Sequence, residues 1–273
     1  MPRRPVSTNS FNAVGAGQTA TVDLPVGPRV YHQLRLLYGT STAGGANQTN
    51  IEAEISQIRL KVNGKAQRTF SAAELFKINA LHNRPFNTGQ LPIFLGEPWR
   101  RTTQGSDALA WGMADVATFQ VEVDVAAGAT GPTLDARVVV EEAARPMGPI
   151  AKWKRLTQPI TAIGITTNTT FPRVDDYYSI YAFSSNISDV EVKLDQQEVF
   201  KLTAAQLQYL LEDQDFTWVS GLFPVKFDFT RRVSDSLKMM KPNGQRASEL
   251  RVDWNMSTAA DFSYITETVG LRD

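Results

Sequence analysis

Sliding the chain against itself brings residues 58–75 onto residues 190–207 without a gap, an offset of 132 residues. Both windows read as an alternating hairpin that runs straight into a helix start. The helix starts are Ser71-Ala72-Ala73-Glu74-Leu75 in the first and Thr203-Ala204-Ala205-Gln206-Leu207 in the second. Each has the form of a capping box, in which a hydroxyl accepts from the backbone of the third helical residue while that residue's side chain reaches back. The same offset carries Gly89-Gln90-Leu91-Pro92-Ile93 onto Gly221-Leu222-Phe223-Pro224-Val225, and a shift of one more residue sets Phe119, Val121, Val123 and Val125 beside Leu250, Val252, Trp254 and Met256. The 273 residues are therefore expected to hold two versions of one structural plan.

The plan itself is legible from the short runs of β-branched and aromatic residues parted by Gly, Pro, Asn and Asp. Residues 18–24, 31–38, 55–62, 119–125, 137–141, 190–194, 225–229, 250–256 and 262–268 read as strands with one buried face. Strands this dense, with few helices between them, point to an all-β sandwich or closed antiparallel barrel. A unit of roughly 130 residues is far longer than a propeller blade or solenoid repeat. It fits eight strands of about 5 to 6 residues with their connections, which is one jelly roll. Asn63-Gly64 suits a type I′ turn in the first hairpin, whereas Asp195-Gln196 in the second is expected to turn differently. Arg145-Pro146-Met147-Gly148-Pro149 cannot continue a ladder and marks the boundary. The expected division is an N-terminal arm over 1–17, a first jelly roll over 18–145, a linker over 146–158 and a second jelly roll over 159–273.

Composition narrows the chemistry. Lys plus Arg and Asp plus Glu both number 28, so no long-range field is available to hold a phosphate backbone, and direct nucleic-acid binding is not expected. With no cysteine, disulfide frameworks, thiolate metal sites and cysteine nucleophiles are all absent. The N-terminal Met-Pro-Arg-Arg-Pro lacks the apolar core of a signal peptide, and no stretch approaches the roughly 18 apolar residues that cross a bilayer, so the protein is expected to be soluble when made.

Candidate catalytic groups are few. His32 and His82 are the two histidines, far apart and without carboxylates beside them in sequence; His32 is expected to be an ordinary strand residue and His82 a surface or helix-end residue. Two histidines rule out a three-histidine metal centre, while a triad stays open on counting alone. Gly15-Ala16-Gly17 and Gly44-Gly45 lack phosphate-loop and dinucleotide spacing and read as loop. Asp175-Asp176 and Glu141-Glu142 are adjacent acids whose side chains diverge on a strand, which suits solvated charges better than a glycosidase pair. Residues 96–101, with Trp99, and Lys152-Trp153-Lys154-Arg155 mix aromatic and basic groups that either pin loops or face glycans, bases or lipid headgroups. Arg3 and Arg4 could touch anionic lipid or a neighbouring subunit. Sequons at Asn47, Asn168, Asn186 and Asn255 carry no weight without secretion.

Asn12, Val14, Ala16, Gly17, Val22, Leu24-Pro25-Val26-Gly27, Tyr31, Leu34, Leu36 and Tyr38-Gly39 resemble the major capsid proteins of corticoviruses and related marine tailless phages. The resemblance continues through Val62-Asn63-Gly64-Lys65, then Trp153, Arg155 and Phe171-Pro172-Arg173. It implies a double jelly roll in a virion capsid, made in the host cytoplasm. Three chains would form a capsomer of six similar barrels over an internal lipid membrane. The partners implied are the chain itself as a homotrimer, neighbouring capsomers, vertex and membrane-associated virion proteins, and viral lipid on the inner face. No catalytic or cofactor-binding residue is implied; structural calcium is, at residues unknown. Two other readings stay open: a carbohydrate- or receptor-binding β-sandwich protein such as a phage spike, using Trp99, and a glycan-cleaving jelly roll.

Overall fold

The computed structural model describes residues 2–273. Met1, included in the expected arm, lies outside the described residues. The chain divides into two compact units, one of residues 1–80, 84–154 and 271–273, the other of residues 81–83 and 155–270.

The first unit contains β1 (Arg4–Ser7), β2 (Thr19–Leu24), β3 (Val30–Gly39), α1 (Gln48–Glu54), β4 (Ile55–Val62), β5 (Lys65–Phe70), α2 (Ala72–Leu81), β6 (Gln90–Phe94), α3 (Thr103–Ala108), the two-residue β7 (Trp111–Gly112), β8 (Phe119–Val125) and β9 (Thr133–Glu141). One sheet runs β1-β9-β3-β6, with β7 added to β3; the other runs β5-β4-β8-β2. Setting β7 aside, the eight strands pair in the orders 1-8-3-6 and 2-7-4-5, which is a jelly roll. Along β8 burial alternates without interruption, so Phe119, Val121, Val123 and Val125 fill the core while Gln120, Glu122 and Asp124 line the outer face. On that outer face Arg59 of β4 meets Glu122 and Asp124. Arg59 holds the Asp124 carboxyl below its usual range, and Lys61 with Arg59 holds that of Glu122 below it against the opposing effect of burial.

The second unit follows the boundary strand β10 (Ile150–Gln158) with β11 (Gly164–Asn168), β12 (Asp176–Phe183), β13 (Ile187–Leu194), β14 (Gln197–Thr203), α4 (Ala204–Glu212), β15 (Phe223–Lys226), β16 (Leu250–Met256) and β17 (Phe262–Gly270). Its sheets run β15-β12-β17-β10 and β11-β16-β13-β14. Counted from β10, these orders are again 1-8-3-6 and 2-7-4-5. The sixth strand ends its sheet in both units and carries proline at matching positions, Pro92 and Pro224. An edge is where a residue with no N–H is tolerated.

Both units anchor the start of the third strand in the same way. The buried Tyr31 hydroxyl donates to the Pro25 carbonyl at 2.7 Å, and the buried Tyr177 hydroxyl donates to the Pro172 carbonyl at 2.6 Å. Burial pushes both phenols above their ordinary pKa. The Leu24-Pro25 and Phe171-Pro172 positions thus mark loops tied to a core tyrosine.

The structure corrects several expectations. Residues 4–7, expected in an arm, form the first strand of the first jelly roll and pair with β9, and Phe11 is buried. Pro5 and the two arginines hide this strand from an alternation test, yet a proline is admissible because β1 is an edge. Most of the expected linker 146–158 is strand β10, whose residues 150–154 count with the first unit and 155–158 with the second. The strand expected over 225–229 is instead β15, ending at Lys226, because a turn closes from Asp228 to Arg231. Strands β11 and β12 and helices α1 and α3 were not anticipated.

Tyr31→Phe and Tyr177→Phe each leave a proline carbonyl without its donor. Each is expected to cost about 1 kcal/mol in chemical denaturation; an unchanged midpoint would show that these bonds do not hold the third strand.

Candidate functional site, a duplicated hairpin with a clamped turn

The repeat detected in the sequence is the hairpin made by the fourth and fifth strands, and its register is duplicated residue by residue. Ile58 pairs with Phe70 and Leu60 with Arg68, after which the register slips so that Lys61 faces Ala66 and Val62 faces Lys65. In the second unit Val190 pairs with Leu202 and Val192 with Phe200, after which Lys193 faces Glu198 and Leu194 faces Gln197. Each pairing and the bulge itself recur at the offset of 132.

The turns recur as well, which corrects the expectation that Asp195-Gln196 adopts another type. Asn63 and Gly64 have φ of 51° and 80°, and Asp195 and Gln196 have φ of 49° and 68°. Positive φ at both central residues defines a type I′ turn. Asp tolerates the left-handed region as Asn does, but Gln occupies it against the Cβ penalty that Gly64 avoids.

A clamp across the sheet offsets that cost. Asn63 Oδ1 accepts the backbone N–H groups of Ala117 and Thr118 at 2.9 and 3.1 Å, and its own N–H donates to the Thr118 carbonyl at 2.9 Å. Asp195 Oδ1 accepts from the N–H of Ser248 at 2.6 Å and of Glu249 at 3.0 Å, and its N–H donates to the Glu249 carbonyl at 3.0 Å. In both units the turn therefore pins the chain just before the seventh strand. The second clamp is charged: the Lys241 ammonium, then the Ser248 hydroxyl and the Glu249 N–H, hold the Asp195 carboxyl far below its usual range.

The helix that follows each hairpin is capped as expected. Ser71 N–H donates to Glu74 at 2.8 Å while Glu74 N–H donates to Ser71 Oγ at 3.2 Å. Thr203 and Gln206 do the same at 3.0 and 3.3 Å.

The chemical candidates resolve into structure. His32 is buried in β3, and the fold gives it carboxylate neighbours that its sequence surroundings lack, Asp107 and Glu141, each 3.5 Å from a ring nitrogen. Burial, then Arg3, lowers its pKa in spite of both acids, so the ring is neutral at neutral pH. It lines a partly open cavity of about 140 Å³ with Arg3, Phe94, Pro98 and Asp107. His82 follows α2 but is buried rather than on the surface, edge-on to Phe216 at 5.3 Å. Asp176 accepts from Met239 N–H and Lys238 at 3.0 Å, and Glu142 pairs with Arg4. Trp99 is half-buried edge-on to Phe94 at 5.6 Å, and Arg100 forms a buried ion pair with Glu97 at 2.7 Å, so residues 96–101 are a pinned loop. Trp153 is buried against Phe70 and Arg68. Gly17, Gly44 and Gly45 have positive φ in loops. Asn47 caps α1, and Asn168 is buried against Gln158. Among the described residues no group of three or more His, Asp or Glu side chains is disposed to hold a metal ion, so calcium has no assigned position.

Three buried charges escaped sequence reading. Arg68 donates to the Ala151 and Phe94 carbonyls, Glu54 accepts from Tyr38 at 2.7 Å, and Lys226 pairs with Asp228 at 2.9 Å. Nothing along the chain marks Arg68 and Glu54, whose partners come from other strands, whereas Lys226 and Asp228 stand two residues apart.

In comparisons with known proteins, residues 5–141 match the viral coat protein P2 N-terminal domain and residues 150–271 match the viral coat protein P2 C-terminal domain. No curated protein sequence matches the chain. Among solved structures it resembles the major capsid protein P2 from bacteriophage PM2, with a TM-score of 0.87 and 19% identity over 100% of this chain and 98% of that one. It also resembles a chain of Sulfolobus Turreted Icosahedral Virus (TM-score 0.71, 10% identity, 98% of this chain and 91% of that one). The Faustovirus major capsid protein scores 0.67 at 9% identity, over 100% of this chain and 90% of that one.

Three outcomes are expected for the hairpin. Ser71→Ala and Thr203→Ala should each cost roughly 0.5 to 2 kcal/mol in equilibrium unfolding. Gln196→Gly should raise the melting temperature through a gain of about 0.5 to 1 kcal/mol, since it removes a left-handed Cβ. Because the Asp195 pKa is depressed on folding, its contribution is full above the ordinary Asp value of about 4 and is lost as pH falls below it. Asp195→Asn should keep the two backbone bonds and flatten the fall in melting temperature below about pH 4; an unaltered pH slope would exclude the charged clamp. With matches over both halves, the chain belongs to the viral coat protein P2 family.

Proposed function

We propose that three copies of this major capsid protein form one capsomer of six similar jelly rolls, and that such capsomers tile a virion shell over an internal lipid membrane. The observation that carries this reading is the identity of plan between the two units, the same strand orders and the same hairpin register at one fixed offset. Two like modules per chain let a threefold assembly present six near-equivalent faces, and six such faces make a hexagonal tile. The function is then self-association, with no reaction catalysed. Closed assemblies of this kind usually bury more than about 2,000 Å² per interface.

The partners of the reading are further copies of the chain, neighbouring capsomers and the vertex and membrane-associated proteins of the virion. Balanced formal charge, 28 basic against 28 acidic residues, suits a shell separated from nucleic acid by lipid. Exposed Arg3 offers the inner-face contact with anionic headgroups.

Purified protein should elute as a trimer in light-scattering chromatography and form hexagonal arrays in negative-stain images. A monomer at all concentrations that stays dispersed would overturn the reading.

A further inference from the structure

The fifth strands of the two jelly rolls, β5 and β14, are finished differently. In the first unit β5 is covered. Trp153 pairs with Arg68 in parallel, the Arg68 Nε donates to the Ala151 carbonyl at 2.8 Å, and Phe70 meets the Trp153 ring at 5.3 Å. The neighbouring Gln67 is 2% exposed and accepts from the Asp273 N–H at 3.2 Å. The cover thus consists of residues 150–154 and 271–273, all counted with the first unit.

Strand β14 has no such cover among the described residues. It is the last strand of its sheet, and five of its seven residues are exposed. Val199, which corresponds to Gln67 at the offset of 132, is a 41% exposed aliphatic side chain. An uncovered strand edge, here with one exposed aliphatic side chain among polar ones, is a template for pairing with another chain.

We propose that β14 is the docking edge for a second copy of this chain, whose β1 and residues 142–145 cover it as residues 150–154 and 271–273 cover β5. The inference rests on the self-association proposed above and names its surface. The occupant follows from the duplication. Residues 150–154 open the first strand of a jelly roll, and residues 271–273 follow an eighth strand. In a second copy the segments holding those two places without a cover of their own are β1 and the residues after β9. They lie together, since Arg4 pairs with Val140 in register and its guanidinium reaches Glu142. They are also available, because β1 ends its sheet and exposes three of its four residues. Charge agrees: the Glu198 side chain on β14 is 53% exposed and that of Arg4 on β1 is 60% exposed. The contact is head-to-tail, so it closes into a ring when the rotation between copies permits.

The absence of cysteine makes the test direct. A chain carrying Val199→Cys with Ser7→Cys, treated with a short bismaleimide, is expected to give covalent trimers on a denaturing gel. A control chain carrying Ile165→Cys with Ser7→Cys places the first thiol on β11, at the far end of the same sheet, and is expected to give none. Val199→Lys should weaken trimerisation roughly tenfold or more. Trimers by light scattering that are not linked through position 199, or are linked equally well through position 165, would overturn this interface while leaving self-association standing. Protein that is monomeric throughout would remove both.

Discussion

A strand side chain can point to only two sides of its sheet, so the register slip after Leu60 and Val192 decides which hairpin residues reach each core. Before the slip, Ile58 and Leu60 in one unit and Val190 and Val192 in the other point inward and are fully buried. After it, the extra residue re-aims the strand toward a turn that must then reverse within two residues. A one-residue error in β4 would carry Ile58 and Leu60 to the outer face and Arg59 into the core, away from Glu122 and Asp124 on β8. That the bulge sits at the same place in both units explains why this window keeps a gapless sequence repeat where the loops do not.

The clamp shows how one geometry survives a change of chemistry. Asn63 and Asp195 present an oxygen to two successive N–H groups before the seventh strand, so a carboxamide and a carboxylate perform the same task. The carboxylate additionally requires a cation, which Lys241 supplies from the neighbouring loop. It also compensates a turn lacking glycine. The second unit therefore holds its hairpin by electrostatics where the first holds it by backbone permissiveness, and only the former depends on acidity.

How much of this could be read from the chain depends on whether the cause is local. Alternation in β8 and β16 and the two capping boxes are local, and each stands where the sequence placed it. Strands β1 and β10 were missed because Pro5, Pro146 and Pro149 read as breakers, although proline is admitted at an edge or just before a strand. Helix α1 was missed because Gly44-Gly45 suggests loop; its start is set by the Asn47 side chain accepting from Asn50. The type I′ turn at Asp195-Gln196 could not be inferred from residue preference, since the stabilising Ser248 and Glu249 lie more than fifty residues away. His32 had no acidic neighbour in sequence, and the fold brings Asp107 and Glu141 to it from α3 and β9.

The two units part at their edges as well as in the chemistry of the clamp. A jelly roll leaves both sheets open, and each open edge carries unpaired backbone groups that must be hidden, charged or paired. In the first unit, the second strand is met by Asn12, which exchanges backbone hydrogen bonds with Thr21 at 2.8 and 3.0 Å, and the fifth is met by residues 150–154 and 271–273. The first cover comes from the connection between β1 and β2, the second from chain beyond β9. Among the described residues, the second unit has no segment that performs the same service for β14. An apolar Val199 at an edge that stayed solvated would favour indiscriminate strand addition, whereas the Glu198 and Lys201 charges around it restrict which segment can lie there. Duplicating a module thus duplicates the edge but, among the described residues, not its cover.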